Sequence, residues 1–533
     1  MQDKEYLYQR YAKAKGDWMN WRVLYEEAYW YTMPERNPWP DEVLEGQIKN
    51  IGVYDTTAIG SARRLVARLH QNLFPTGDPW FKLEPGEGVP EQAKQSVEAQ
   101  LAPLNKILYR ALDKSNFNLV STELLQDLII GTGAMMILEN DDDDVPFLCK
   151  SVALDKVFPE GDSFDQINTV WRDIPEMRAE DIEAFWPSAV ITDEMRQAME
   201  DNECVTFVMI EGIIYDRDKK KYRHIVMADG YDTYVVDQEL ESSPWVIARW
   251  SKNTHEVGGR GPILDALPTI KSANKLTEFI LTNVGLSTSP PWLAATDGVF
   301  NPYLFEIAPN KIIPISRTSL EAVPLRKLDV SGEINLGSLE LQDLRQQIKD
   351  MLYDNPVSPV ADPKQTATLT MLQHQNWLET VGPAWGRLLV ELLPESAKRI
   401  IHIMQRRGLL PKHLNIDGKI INIKYSSPLE ESRSLSDLNK FQQFMQIMVE
   451  MFGPQLALAT VNIQDVPEWV GNKLGVDPKL IKASGDIQSA IQQMTQPQQP
   501  QAPDPNQQAA QDAGQAQLNP AQMALGQTAN QGQ

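Results

Sequence analysis

Between positions 361 and 411 apolar side chains recur three or four residues apart, at Leu369, Leu372, Val381, Trp385, Leu388, Leu392, Ile400 and Met404. That is the period of one buried helical face. Asp362 is placed to cap the start, with Pro363 at the first helical position and Gln365 closing a capping box, and Gly408 and Pro411 stop the pattern. At ~1.5 Å per residue, about forty residues make a rod of roughly 60 Å, longer than a small domain is wide. Pro383 and Pro394 each remove a backbone donor and crowd the preceding turn, which predicts a kink at both. A long helix of this kind, without heptad register, suits a subunit whose core is completed by neighbouring copies.

Ahead of this rod the pattern changes character twice. Residues 6–31 read as a helix with an aromatic stripe at Tyr11, Trp18, Trp21, Tyr25, Tyr29 and Trp30, the mark of a core or an interface. A second helix starts near Asp55, an N-cap candidate, and buries Ala58, Ala62, Leu65, Val66, Leu69 and Leu73. Arg63, Arg64 and Arg68 lie mainly off that face, where salt-bridged or solvated side chains fit better than phosphate ligands. Residues 91–112 form a further helix interrupted at Pro103, and residues 119–137 a more apolar one containing Gly131 and Gly133. Short β-prone runs follow at 147–154, 167–172, 205–215, 222–227, 233–236 and 245–250, with short helices near 179–186 and 193–200.

After a glycine-rich turn ending at Pro262, a helix carries Ile263, Leu267, Ile270, Ala273, Leu276, Ile280 and Val284 on one side. Lys271, Asn274, Lys275 and Glu278 occupy the other, and Pro268 marks a bend. Residues 289–333 are proline-punctuated and short-stranded, and helix returns over 338–353, so two amphipathic helices bracket a compact excursion. A strand at 420–425 and helices near 435–452, 466–474 and 479–494 follow. From Gln496 the chain is almost all Gln, Ala, Pro and Asn, which predicts disorder. The fold class is α+β, mainly helical.

Composition narrows the chemistry. The 533 residues carry 72 acidic and 50 basic side chains, a net charge of −22, where a protein gripping DNA through its phosphates is usually basic. The balance suits a surface that DNA passes without sticking, and equally a merely soluble acidic protein, so charge alone decides little. No apolar run is long enough for a membrane span, and the first residues lack the core of a signal peptide. Two cysteines, Cys149 and Cys204, make no disulfide framework and no zinc spacing. The acids 141–144 lack the glycine and final glutamate of a calcium loop, so they read as an exposed loop. The glycine-rich HEVGGRGP turn lacks the Lys-Ser/Thr of a P-loop, so its glycines serve a tight strand-to-helix turn. Lys219, Lys220 and Lys221 with Arg223 read as a solvated hairpin tip. An enzyme reading rests on His224 with Asp216 or Asp229, and six scattered histidines without a nucleophile motif support it weakly.

Three segments resemble the portal (head-to-tail connector) proteins of short-tailed, T7-like bacteriophages. The most specific is TATLTMLQHQNWLETVGPAWGRLLVELLPESAKRIIHIMQRRGLLP, similar to that family's long kinked helix, with Val381-Gly382-Pro383 at the kink and Arg406 to Pro411 closing it. The second is VGGRGPILDALPTIKSANKL, where Gly259-Arg260-Gly261-Pro262 stands in for the family's Tyr-Gly-Arg-Ser-Pro turn. The third is RRLVARLHQNLFPTGDPWFKLEP. The similarity covers roughly residues 6–411 and thins beyond, and none of these motifs is catalytic.

The resemblance implies a ring subunit with wing (1–260, β-rich over about 145–250), first stem helix (261–286), clip (287–337) and second stem helix (338–353). A tunnel loop (354–365), the long helix with its return to the wing (366–425), a crown (426–493) and a disordered tail (494–533) would complete it. It implies a dodecameric ring at a unique capsid vertex of the virion, assembled in the host cytoplasm, through which double-stranded DNA passes without sequence specificity during packaging and ejection. Terminase, scaffolding protein, major capsid protein, tail adaptor and nozzle proteins and internal core proteins are the implied partners. Enzyme activity, cofactor, metal and direct membrane contact are not expected. Lys271, Lys275 and Lys364 are the candidate DNA-channel residues. A non-channel structural adaptor or scaffold protein of the virion is the alternative.

Overall fold

The computed structural model describes residues 2–39, 46, 49–75, 80–201, 205–231, 233–289, 292–296, 312–316, 325–327, 334–354, 367–411, 421–425, 428–453, 461 and 466–474. The expected cap at Asp362 to Gln365, Lys364, most of the 287–337 and 354–365 segments, the helix near 479–494 and the Gln-rich tail lie outside the described residues. The chain divides into two compact units, Met1–Glu430 and Glu431–Gln533.

The aromatic stripe folds as two helices, α1 (Gln2–Met19) and α2 (Arg22–Thr32), in place of one. The break falls at Trp21, whose ring packs so tightly on Gly258 that a Cβ there would lie 2.7 Å from it. Tyr11, Trp18, Tyr25 and Tyr29 are buried, as the stripe predicts. Helix α3 (Thr57–Leu73) buries the expected apolar row; its N-cap is Thr56, one residue past the expected Asp55, whose Oδ1 accepts the Thr57 N–H at 2.8 Å. Strand β1 (Phe81–Pro85) and helix α4 (Glu91–Lys114) follow, and α4 continues through Pro103 without interruption.

Residues 119–137 depart most from expectation. Helix α5 (Phe117–Leu128) stops, and the chain reverses into strand β2 (Thr132–Glu139). Six successive β2 residues are buried, because the strand contacts both α5 and a later helix. A strand covered on both faces shows no alternation and reads as an apolar helix. Strand β2 is central to an antiparallel three-stranded sheet with β3 (Phe147–Ser151) and β9 (Trp245–Arg249). Between these, β4 (Val157–Gly161), β5 (Ile167–Arg178), β6 (Thr206–Asp216), β7 (Lys221–Ala228) and β8 (Tyr234–Leu240) form an antiparallel five-stranded sheet in sequence order. Helices α6 (Ala179–Phe185) and α7 (Asp193–Asp201) close a smaller core over its end, around Met177, Ile182, Trp186, Met195, Phe207 and Met209.

Helix α8 (Pro262–Thr288) packs along α9 (Ile334–Met351). Between them in sequence lie β10 (Trp292–Thr296), β11 (Ile312–Ser316) and β12 (Leu325–Lys327), with β10 parallel to β11 and antiparallel to β12. The long rod is α10 (Ala367–Glu391) and α11 (Leu393–Arg406). Helix α10 runs through Pro383, and the rod breaks at Leu392, with Pro394 in the first turn of α11. Bonds from Leu392 N to Leu388 O (3.0 Å) and from Ser396 N to Leu392 O (3.2 Å) span the break. Leu378, Val381, Trp385, Leu388, Ile400 and Met404 are buried in the main core. Arg399 is buried as well, its charge met by the Ile137 carbonyl (3.1 Å) and Ser242 Oγ (2.7 Å), which ties α11 to β2. Strand β13 (Ile421–Tyr425) returns to pair antiparallel with β1. Helix α12 (Pro428–Phe452) begins seven residues before the expected 435, and in the second unit its Phe441 packs on Trp469 of α13 (Val466–Leu474).

Candidate functional site: a braced helix pair

Helices α8 and α9 are anchored by buried polar contacts to α3 and the segment before it. The row that buries Ile263, Ile270 and Ala273 continues into two polar residues, Asn274 and Thr277. Asn274, expected on the outer face, is buried with three hydrogen bonds to backbone: Oδ1 accepts from Tyr54 N (2.6 Å) and Asp55 N (3.1 Å), and Nδ2 donates to Gly52 O (3.1 Å). Arg345 Nε of α9 donates to Asp55 Oδ2 at 2.8 Å, and Thr277 Oγ1, which donates to Ala273 O at 2.8 Å, lies 3.3 Å from the same oxygen. Burial pushes the Asp55 carboxyl up, but donors from Thr57 and Arg345 outweigh it and hold the group below its ordinary value. The Asp354 carboxylate, just past α9, accepts Arg64 Nε at 2.8 and 2.9 Å and Ser61 Oγ at 2.7 Å. Burial again pushes up and is outweighed by Arg64 and Ser61, so Asp354 also stays ionised. Nothing in the periodicity marks these partners, which lie about 290 residues apart in sequence. The local signal is a polar pair at Asn274 and Thr277 in line with an apolar row.

Away from this root the pair opens to solvent. Val284, expected on the buried side, is exposed, as are Phe279, Leu281 and Leu339, at 53%, 54% and 61%. Lys271 of α8 forms an ion pair with Glu27 of α2. Lys275 pairs with Glu278 at 2.8 Å and stands over the Phe279 ring. Both lysines sit on the outer face of α8 within reach of acids of their own chain.

A family model of bacteriophage head to tail connecting proteins matches residues 4–481 of the 533. The chain belongs to that connector family. It is therefore a structural component of a phage particle, from a family of virion proteins that are not enzymes. Among solved structures it is similar to a chain in the virion of a native gene transfer agent particle, at 11% identity and a TM-score of 0.35, covering 77% of this chain and 92% of that one. Comparison with curated proteins finds no match.

The remaining candidate residues of this connector chain are occupied structurally. His224 is buried on β7, its Nε2 3.0 Å from Glu211 and its Nδ1 3.0 Å from Gln238, with Arg172 completing the cluster 3.4 Å from Glu211. Asp216 instead accepts the Asp218 N–H at the β6–β7 turn, and Asp229 is exposed beyond β7. Burial raises the Glu211 carboxyl, and His224 and Arg172 bring it below its ordinary value. Lys219 and Lys221 pair with Glu239, and Arg223 with Asp237 and Asp3. Asp141 and Asp143 pair with Arg407, and Asp144 with Lys114. The glycine-rich turn packs on the α5–β2 reversal, where a Cβ on Gly259 would meet Gly131 O at 2.2 Å and one on Gly261 would meet Ile129 O at 2.1 Å. Among the described residues no three His, Cys, Asp or Glu side chains are placed to hold a metal, and no helix is long and apolar enough to cross a membrane.

Proposed function

We propose that this chain is a portal subunit of a short-tailed, T7-like phage. Twelve copies form a ring at one capsid vertex, around a channel that admits double-stranded DNA during packaging and releases it at ejection. The family match over residues 4–481 carries the reading. Two features support the finer parts of it. Helices α8 and α9 bracket three short strands, the order expected of a stem pair around a clip. Large apolar side chains stay exposed on the far half of that pair, the kind of surface that neighbouring copies cover.

The net charge of −22, multiplied around a ring, keeps DNA from adhering to the wall. Lys271, Lys275 and Lys364 give brief phosphate contacts, weakened by salt. ATP hydrolysis then belongs to a separate terminase docked on the ring. Scaffolding, major capsid and internal core proteins act during assembly in the bacterial cytoplasm, and tail adaptor and nozzle proteins attach afterwards.

The test is a phage lacking this chain, complemented in trans. Complementation by the wild-type chain restores DNA-filled, tailed particles, and without it capsids stay empty. Filled particles without the chain would overturn the reading. In the same assay Lys271→Ala with Lys275→Ala is expected to leave rings intact and to change genome packaging or retention. An unchanged yield of full particles removes the two lysines from the channel.

A further inference from the structure

Two buried aspartates join α3 and α9, and they do so reciprocally. Asp55, at the start of α3, takes Arg345 of α9, and Asp354, at the end of α9, takes Arg64 of α3. Both carboxylates are nearly inaccessible, at 3% and 4% exposure, while their arginines are about half exposed. The spacing matches on the two sides, with each acid nine residues from the arginine on its own segment. One bridge constrains a single point of α9, which also packs on α8 through its buried Leu341 and Ile348. Two, with the acid on opposite partners, fix its position along α3 and its rotation together. A slip by one turn would break both and leave two buried carboxylates without cations, which is strongly unfavourable.

The far end of this contact reaches the long rod. Tyr353 adopts a left-handed backbone, φ 54°, and its carbonyl accepts from Arg68 Nη1 of α3 (3.1 Å) and Trp377 Nε1 of α10 (3.0 Å). Asp354 N closes on Lys349 O at 2.7 Å. Tyr353 N donates to Asp350 O at 3.1 Å, so the left-handed residue belongs to the turn that closes α9, and α3, the end of α9 and α10 meet at that turn.

From this geometry we infer that Asp55 and Asp354 are positioning residues for DNA transit. They form a two-point lock that keeps the α8–α9 pair in one register against α3 and α10 while force acts along the pair. The inference rests on the portal reading, in which DNA driven through the ring loads the pair.

The experiment compares Asp55→Asn and Asp354→Asn with Arg63→Lys, an exposed α3 control, in the full chain. Three readouts are taken: particle mass and ring images, amide hydrogen exchange across 345–354, and the genome content of complemented particles. The Asn variants are expected to keep wild-type rings, to exchange at least about tenfold faster over 349–354, and to lower the fraction of full particles about tenfold. The control is expected to change none of these. Faster exchange with a normal fraction of full particles overturns the lock and leaves the portal reading standing, whereas filled particles without any chain overturn the portal reading itself. Where an Asn variant fails to form rings, Arg64→Lys decides: it keeps the charge at a half-exposed side chain and loses only the two-pronged contact. Normal genome content in that variant, with α9 loosened, overturns the lock equally.

Discussion

At the scale of single residues, backbone contact and buried charge set what the chain tolerates. A Cβ on Gly131 would sit 2.2 Å from the Gly259 carbonyl and 2.6 Å from the Tyr25 hydroxyl, and the backbone on both sides of that contact is fixed by further hydrogen bonds. Gly131→Ala is therefore expected to destabilise the first unit by about 3 kcal/mol, at the upper end of overpacking costs, measured by urea unfolding. A loss below about 1 kcal/mol would mean that the crossing can open. The paired aspartates give a pH signature. Both are held below the ordinary carboxylate value in the folded chain, so their stabilising contribution is complete above about pH 4 and disappears as pH falls through their folded values. Stability of the wild-type chain should fall more steeply than that of Asp354→Asn below about pH 4, since the variant lacks one of the titrating groups. Parallel pH profiles would contradict the ionised, bridged state of Asp354.

At the scale of elements, the two prolines of the rod are not equivalent. Pro383 lies inside α10 with its ring exposed, so it forfeits a backbone bond with no packing in return. Pro394 lies in the first turn of α11, where a missing N–H costs little. Pro383→Ala should raise stability by about 1–3 kcal/mol, and Pro394→Ala should change it by less than about 1 kcal/mol. Equal effects on the melting temperature would mean that the helix is relieved at Pro383 in the same way as at Leu392.

The apolar period made α3, α8 and the rod legible in the sequence, because each has one buried face and one wet face. Helix α5 and strand β2 were not separable, because β2 is covered on both sides and its run of six buried residues gives no alternation. The single helix expected over 6–31 missed its break because the cause, Trp21 against Gly258, lies more than two hundred residues away in sequence. The same distance hid the site. Lys271 and Lys275 stand out as cations on a polar face, but the partners of Asp55 and Asp354 follow from tertiary contact alone.

At the scale of the whole molecule, the chain behaves as one part of a larger body. Its family joins head to tail in phage particles, its far α8–α9 surface carries large exposed apolar side chains, and its acidic balance disfavours a tight DNA clamp. A monomeric globule has no use for the first two together. The most direct test is electron microscopy of the purified full-length chain with particle mass measured on the same sample, repeated with scaffolding and capsid proteins present. The account predicts closed rings of twelve copies with a central hole wide enough for duplex DNA. Monomers that stay monomeric with both assembly partners present would contradict it.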